Sequence, residues 1–332
     1  MSTASPSRAA PPAPRGLWFG ALCVVLFALI VVSLFVGPYR LSLSDLLADP
    51  QALMVFLASR VPRTAALVLC GVSLSVAGLI MQLITQNKFV EPSTAGTMQS
   101  AGLGILVMTI FWPGAPVAVR MIMASLAAFA GTMLFMAILR RVAWRNSLIV
   151  PLIGIMLGAV IGAAVQFVAQ RLELQQTLEA WAAGSFSDIL RGRYELLWIV
   201  GGLAVVTYLV ADRMSVAGLG EDVATNVGLN YRAVIMLGST IVALVAGITV
   251  SVVGVLPFLG LIVPNIVSLT LGDNARRSIP WVCVLGAVII VGCDILSRSL
   301  VSPAEIPVGT ILGILGGAVF LFLILRQTRH DR

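Results

Sequence analysis

The stretch TAALVLCGVSLSVAGLIMQLITQN, residues 64–87, contains no Asp, Glu, Lys or Arg. A helix needs about 20 apolar residues to cross the hydrocarbon core of a bilayer, so this segment is long enough to span it. Backbone polar groups in lipid must be satisfied within the structure, which leaves helices or closed barrels. The apolar residues run continuously instead of alternating, and that decides for a helix. Residues 16–39, 93–119, 146–170 and 306–325 are equally free of charged side chains. Of all 332 residues, 59% are hydrophobic and 11% charged, whereas a soluble domain carries roughly 25% charged residues. Too little polar surface remains to face water. The fold class that follows is all-α, a polytopic membrane protein with about ten transmembrane helices.

Loop signals place the spans near 16–37, 55–84, 93–112, 117–139, 147–170, 194–211, 233–255, 258–271, 279–297 and 306–326. The charge-free stretch 233–272 is too long for one crossing, and Pro257 and Pro264 divide it into a full helix, a tight turn and a short helix. Residues 1–15, rich in Ser, Ala, Pro and Arg, read as a disordered cytoplasmic tail. Residues 16–326 then form one transmembrane domain and 327–332 a second cytoplasmic tail. The first apolar run, Leu17 to Val36, is longer than the core of a cleaved signal peptide and predicts a retained helix. Ten spans put both termini on one side, which collects thirteen of the twenty-one Lys and Arg residues and is the cytoplasm by the positive-inside rule. Eight arginines, among them Arg60, Arg63, Arg120, Arg171 and Arg298, fall on the other side and call for a reason.

Two connections are long enough to carry structure. Residues 171–193 predict a short amphipathic helix around Leu174–Trp181. In the inner segment 213–232, Glu221 and Asp222 favour a helix start and Gly228 an end, giving a short polar helix outside the membrane.

The absences exclude whole classes. There is no GxxxxGK[ST] phosphate loop; the single lysine, Lys88, is followed by Phe89. The chain is therefore no ATPase of that kind. No His, Cys or carboxylate cluster within the spans suggests a membrane-embedded enzyme, so no catalytic residue, cofactor or metal site is assigned. The one histidine, His330, lies in the C-terminal tail, and Cys23, Cys70, Cys283 and Cys293 read as small core residues. Asp294 is the clear acid within a span. It is either the coupling residue of an ion-driven secondary carrier or the partner of Arg298 four residues on, and the spacing favours the pair.

Four motifs recur in order: Arg60-Val61-Pro62-Arg63-Thr64, Asn87-Lys88-Phe89-Val90-Glu91-Pro92-Ser93-Thr94, Leu256-Pro257-Phe258-Leu259-Gly260-Leu261-Ile262-Val263-Pro264-Asn265 and Pro303-Ala304-Glu305-Ile306-Pro307-Val308-Gly309. Their order and spacing over residues 16–326 resemble the FecCD/BtuC-type permeases of ABC importers for ferric siderophores, haem and cobalamin. The resemblance implies a type II importer permease of ten helices in the inner membrane. It would pair with a second permease subunit (the same or a related chain), two ABC ATPase subunits and a periplasmic or lipoprotein binding protein. Ion-driven carriage, or haem or cobalamin as cargo, stays as the alternative. Asn265, where many members have His, and Pro257, where they have Gly, set the pattern closer to the siderophore branch.

The resemblance also implies residue roles. Arg60, Arg63 and Arg298 would dock the binding protein through carboxylates, for which the planar guanidinium fork is suited; snorkelling to headgroups is the plainer reading. Gly220, Glu221, Asp222, Asn226, Gly228, Leu229 and Asn230 would form the helix that couples to the ATPase. Gly154, Gly158 and Gly162 in the fifth span and Gly309, Gly313 and Gly317 in the tenth are small residues spaced for close helix packing. By resemblance these two spans also line the translocation path, with Gln166 and Gln170 near its outer end.

Overall fold

The computed structural model describes residues 15–37, 44, 49–142, 149–192, 194–301 and 304–330. Most of the expected N-terminal tail, together with Arg40, Arg145, Arg193, Pro303 and Arg332, lies outside the described residues. Every regular element among the described residues is helical: α1 (Arg15–Phe35), α2 (Pro50–Val55), a π-turn (Phe56–Arg60), α3 (Val61–Thr85), α4 (Thr97–Phe111), α5 (Val117–Leu139), α6 (Ile149–Arg171), α7 (Gln175–Ala182), α8 (Leu197–Leu209), α9 (Ala211–Ala217), α10 (Glu221–Asn226), α11 (Tyr231–Val252), α12 (Leu259–Leu271), α13 (Ala275–Leu300) and α14 (Val308–His330).

Six helical stretches are long and apolar enough to cross a membrane, α8 and α9 make a seventh bent by 67°, and three shorter apolar helices, α4, α12 and the first part of α14, complete the set. That agrees with a reading of about ten. The expected division of 233–272 is present, with residues 253–258 turning between α11 and α12. Several boundaries differ, three of them for a visible reason or with a consequence. The third span was expected from residue 93, but Pro92 and left-handed Gly96 (φ 78°) delay α4 until Thr97. α14 continues past 326 to His330. Beyond α8 the chain bends and resumes helix as α9, where the sequence suggested only a connection.

Two prolines shape the fold through the carbonyls they cannot bond. Pro62 has no N–H for the Ala58 carbonyl; the helix widens into the π-turn there, and Arg191 N–H takes the Ala58 carbonyl at 3.0 Å. Pro264 likewise frees Gly260, whose carbonyl accepts the Gln82 side-chain amide at 3.4 Å.

α3 is the central pillar: Leu67, Cys70, Leu74, Ala77 and Met81 are each at most 1% exposed. It is flanked by α8, α11, α12 and α13. In lipid there is little hydrophobic drive between helices, and small residues that permit close approach take its place. Thus a β-carbon on Gly78 would collide with the Gly260 backbone, and one on Gly286 with the Gly71 carbonyl. α6 packs on α4, α5 and α7, and α14 on α12 and α13. Both leave long apolar flanks uncovered, including Leu152, Met156, Val160 and Phe167 on α6 and Ile314, Leu321 and Phe322 on α14.

Candidate functional site

The end of the bundle where α3 begins holds a buried charge cluster. Arg63 Nη2 lies 2.7 Å from Asp294 Oδ1, and Arg63 Nη1 lies 2.8 Å from Glu305 Oε2. Arg298 binds the second Asp294 oxygen, so the i,i+4 pair expected from the sequence does form. Arg298 also donates to the Ser33 hydroxyl at 2.8 Å and to the Val36 carbonyl at 2.6 Å, tying α1 to α13. Arg60 donates to the same Val36 carbonyl. Glu305 also accepts from the Ser187 hydroxyl at 2.9 Å. Burial works against the Glu305 carboxylate, but Arg63 foremost, then Ser187 and Arg298, hold its pKa below the ordinary value.

The three arginines expected to reach outward are therefore turned inward: Arg60, Arg63 and Arg298 are only 6%, 8% and 5% exposed, and Asp294 is fully buried. A carboxylate so enclosed is neutralised by two guanidiniums, a structural arrangement by its geometry. The sequence missed Arg63 as a partner of Asp294, because 231 residues separate them and nothing local marks the pair.

At the opposite end, Gly220 (φ 107°) precedes α10, Glu221 and Asp222 occupy its first turn, and Gly228 (φ 81°) follows it. The residues grouped from the sequence take separate duties here. Asn230 caps α11 by accepting from Ala233 N–H at 3.1 Å, and Leu229 packs against Met214, Ala217 and Val234. Glu221, Asp222 and Asn226 are exposed. Beside them opens a cleft of ≈ 580 Å³ lined by Gln86, Arg140, Glu221, Asp222, Tyr231 and Arg232. Both charge signs at an open surface suit a polar protein partner more than a small apolar ligand.

The glycines of α6 and α14 divide as well. Gly154 and Gly158 seat the loop at Thr94–Gly96, and a β-carbon on Gly154 would strike the Thr94 carbonyl. Gly309 is pressed against residues 183–184 and 255, and Gly313 only touches Pro257. Gly162 and Gly317 have open space beside them, while Gly316, which the four-residue spacing passed over, is filled by Phe258. Gln166 and Gln170 are exposed on α6. Among the described residues no three His, Cys, Asp or Glu side chains gather as metal ligands.

A helical bundle with broken helices, a polar helix at one end and two glycine-faced helices left open is an arrangement suited to a membrane transport permease. The chain belongs to the FecCD transport family, whose model matches residues 25–326. It is 45% identical to the petrobactin import system permease protein FatD of Bacillus anthracis, over 93% of this chain and 91% of that one. It is 43% identical to the petrobactin permease YclN of Bacillus subtilis strain 168, over 93% and 98% of the two chains. The ferric-anguibactin permease FatD of Vibrio anguillarum shares 37% over the same extents, 93% and 98%. Among solved structures, an inward-facing metal-chelate type ABC transporter matches with a TM-score of 0.79 at 22% identity, covering 94% of this chain and 99% of that one.

Proposed function

We propose that this chain is the permease subunit of an ATP-driven importer of ferric siderophores, with petrobactin the reference cargo. The observation that carries the reading is the 45% identity to a petrobactin import permease across nearly the whole chain. In this reading two permease subunits, identical or related, face each other across the open flanks of α6 and α14. A binding protein delivers the chelate at the end bearing Arg63 and Glu305. ATPase subunits engage α10 and the cleft beside it, and their closure alternates access to the space between the permeases. Both termini then lie in the cytoplasm. Docking by Arg60, Arg63 and Arg298 requires them to leave their present carboxylates; Arg171 and Arg191, exposed at the same end, reach solvent without that cost.

The test is uptake of radiolabelled ferric petrobactin by cells carrying the permease with its ATPase and binding protein. Uptake that vanishes when the ATPase loses its phosphate-loop lysine supports the importer. Uptake that ignores that change and collapses with a proton uncoupler makes the chain an ion-driven carrier.

A further inference from the structure

A carboxylate removed from water is costly unless donors surround it. Glu91, in the loop between α3 and α4, is 1% exposed. It accepts Phe258 N–H at 2.7 Å and the Ser93 hydroxyl, and its other carboxylate oxygen lies against Gly260. Burial nevertheless pushes its pKa up to about 7. The Phe258 donor belongs to the start of α12, where orphan N–H groups and the positive end of the helix favour such an acceptor. Phe258 itself stands at φ 64°, a left-handed conformation that is strained for so bulky a residue and is held in place by this bond.

The same loop touches the two open helices, which do not pack extensively on each other. On one side Thr94–Gly96 sits in the glycine groove of α6. On the other, the Phe89 ring meets Phe320 of α14 edge-on at 5.9 Å, and Phe258 lies 6.2 Å from Phe320 with its β-carbon against Gly316. Further contacts brace the loop along α12: Asn265 donates to the Lys88 carbonyl at 2.7 Å, and Lys88 Nζ lies 3.3 Å from Asp273. The loop begins at Gln86, which lies beside Gly220 and lines the same cleft as Glu221.

We propose that Glu91 is a positioning residue: it fastens the start of α12 to the 86–96 loop, making that loop one rigid link through which displacement of the α10 segment reaches both α6 and α14. The inference rests on the importer reading. It assigns Glu91 no contact with cargo and no part in ATP hydrolysis. Removing its side chain frees Phe258, so that α6 and α14 no longer move together when α10 is displaced.

The experiment measures ferric petrobactin uptake and ATP hydrolysis in parallel on the complete complex, in cells and in lipid vesicles. For Glu91→Ala we expect uptake to fall about tenfold, equivalent to about 1.4 kcal/mol, with hydrolysis retained within about twofold. Glu91→Gln, which keeps an acceptor for Phe258 N–H, restores most of the uptake. Phe320→Ala breaks the link on the α14 side without touching Glu91 and gives the same split. If uptake and hydrolysis fall together in both alanine variants, or neither changes, the link is disproved. Should Glu91→Ala fail to reach the membrane, Phe320→Ala decides by the same criterion. Wild-type uptake indifferent to an inactive ATPase removes the importer reading itself, whereas ATP-dependent uptake with no split in the variants removes only the link.

Discussion

At the scale of single residues the buried charge cluster decides what Arg63 is for. Asp294 sits between Arg63 and Arg298, and Glu305 pairs with Arg63. Removing one partner of a buried pair leaves an uncompensated charge and costs about 3–5 kcal/mol. Arg63→Ala should therefore lower unfolding stability in detergent by about that amount, measured by thermal or denaturant unfolding. An unchanged midpoint, with weaker binding-protein affinity, would return Arg63 to the docking role. The pH dependence has a definite sign. Glu305 has a folded pKa below its ordinary 4.5, so its stabilisation is present above that value and is lost as pH falls through the lowered one. Part of the gap between wild type and Arg63→Ala should close over that acidic range.

Elements show how far local pattern reaches. The charge-free runs gave the helices, and Pro257 with Pro264 gave the break between α11 and α12. The motif at Glu221–Gly228 gave α10, because caps and breakers act within a few residues. What the chain could not announce locally was each partner. The spacing of Gly154, Gly158 and Gly162 predicted a close approach to another helix, yet the first two also receive the Thr94–Gly96 loop, beside Phe135 of α5 and Gln99 of α4. Gly316 escaped notice because Phe258 reaches it from a turn over fifty positions earlier. These placements make α6 a divided helix. Gly154→Leu forces a side chain into backbone and should cost about 1–3 kcal/mol or more, seen as loss of folded protein by size exclusion. Gly162→Leu meets open space and should fold normally. If α6 lines the path it then blocks uptake, and normal transport by that variant would remove α6 from the path.

For the whole molecule the question is which way it sits in the membrane. The positive-inside rule concerns basic charge in short loops near the span ends, and eight arginines on the outer side weakened it. The fold accounts for three of them: Arg60, Arg63 and Arg298 are folded inward, around Asp294 and Glu305, and present almost no charge at the surface. Five outer arginines then stand against thirteen basic residues on the other side. The asymmetry is stronger than the bare count, and it supports the proposal that α10 and both termini face the cytoplasm. Cysteine labelling tests this with little background, because Cys70 and Cys293 are buried and Cys23 and Cys283 are half-buried in apolar helices. Asp188 and Asp222 are exposed at opposite ends. A membrane-impermeant maleimide should label Asp188→Cys in intact cells and reach Asp222→Cys only after lysis. The reverse pattern would turn the molecule over: α10 could no longer meet a cytoplasmic ATPase, and the cluster around Asp294 would face the cytoplasm.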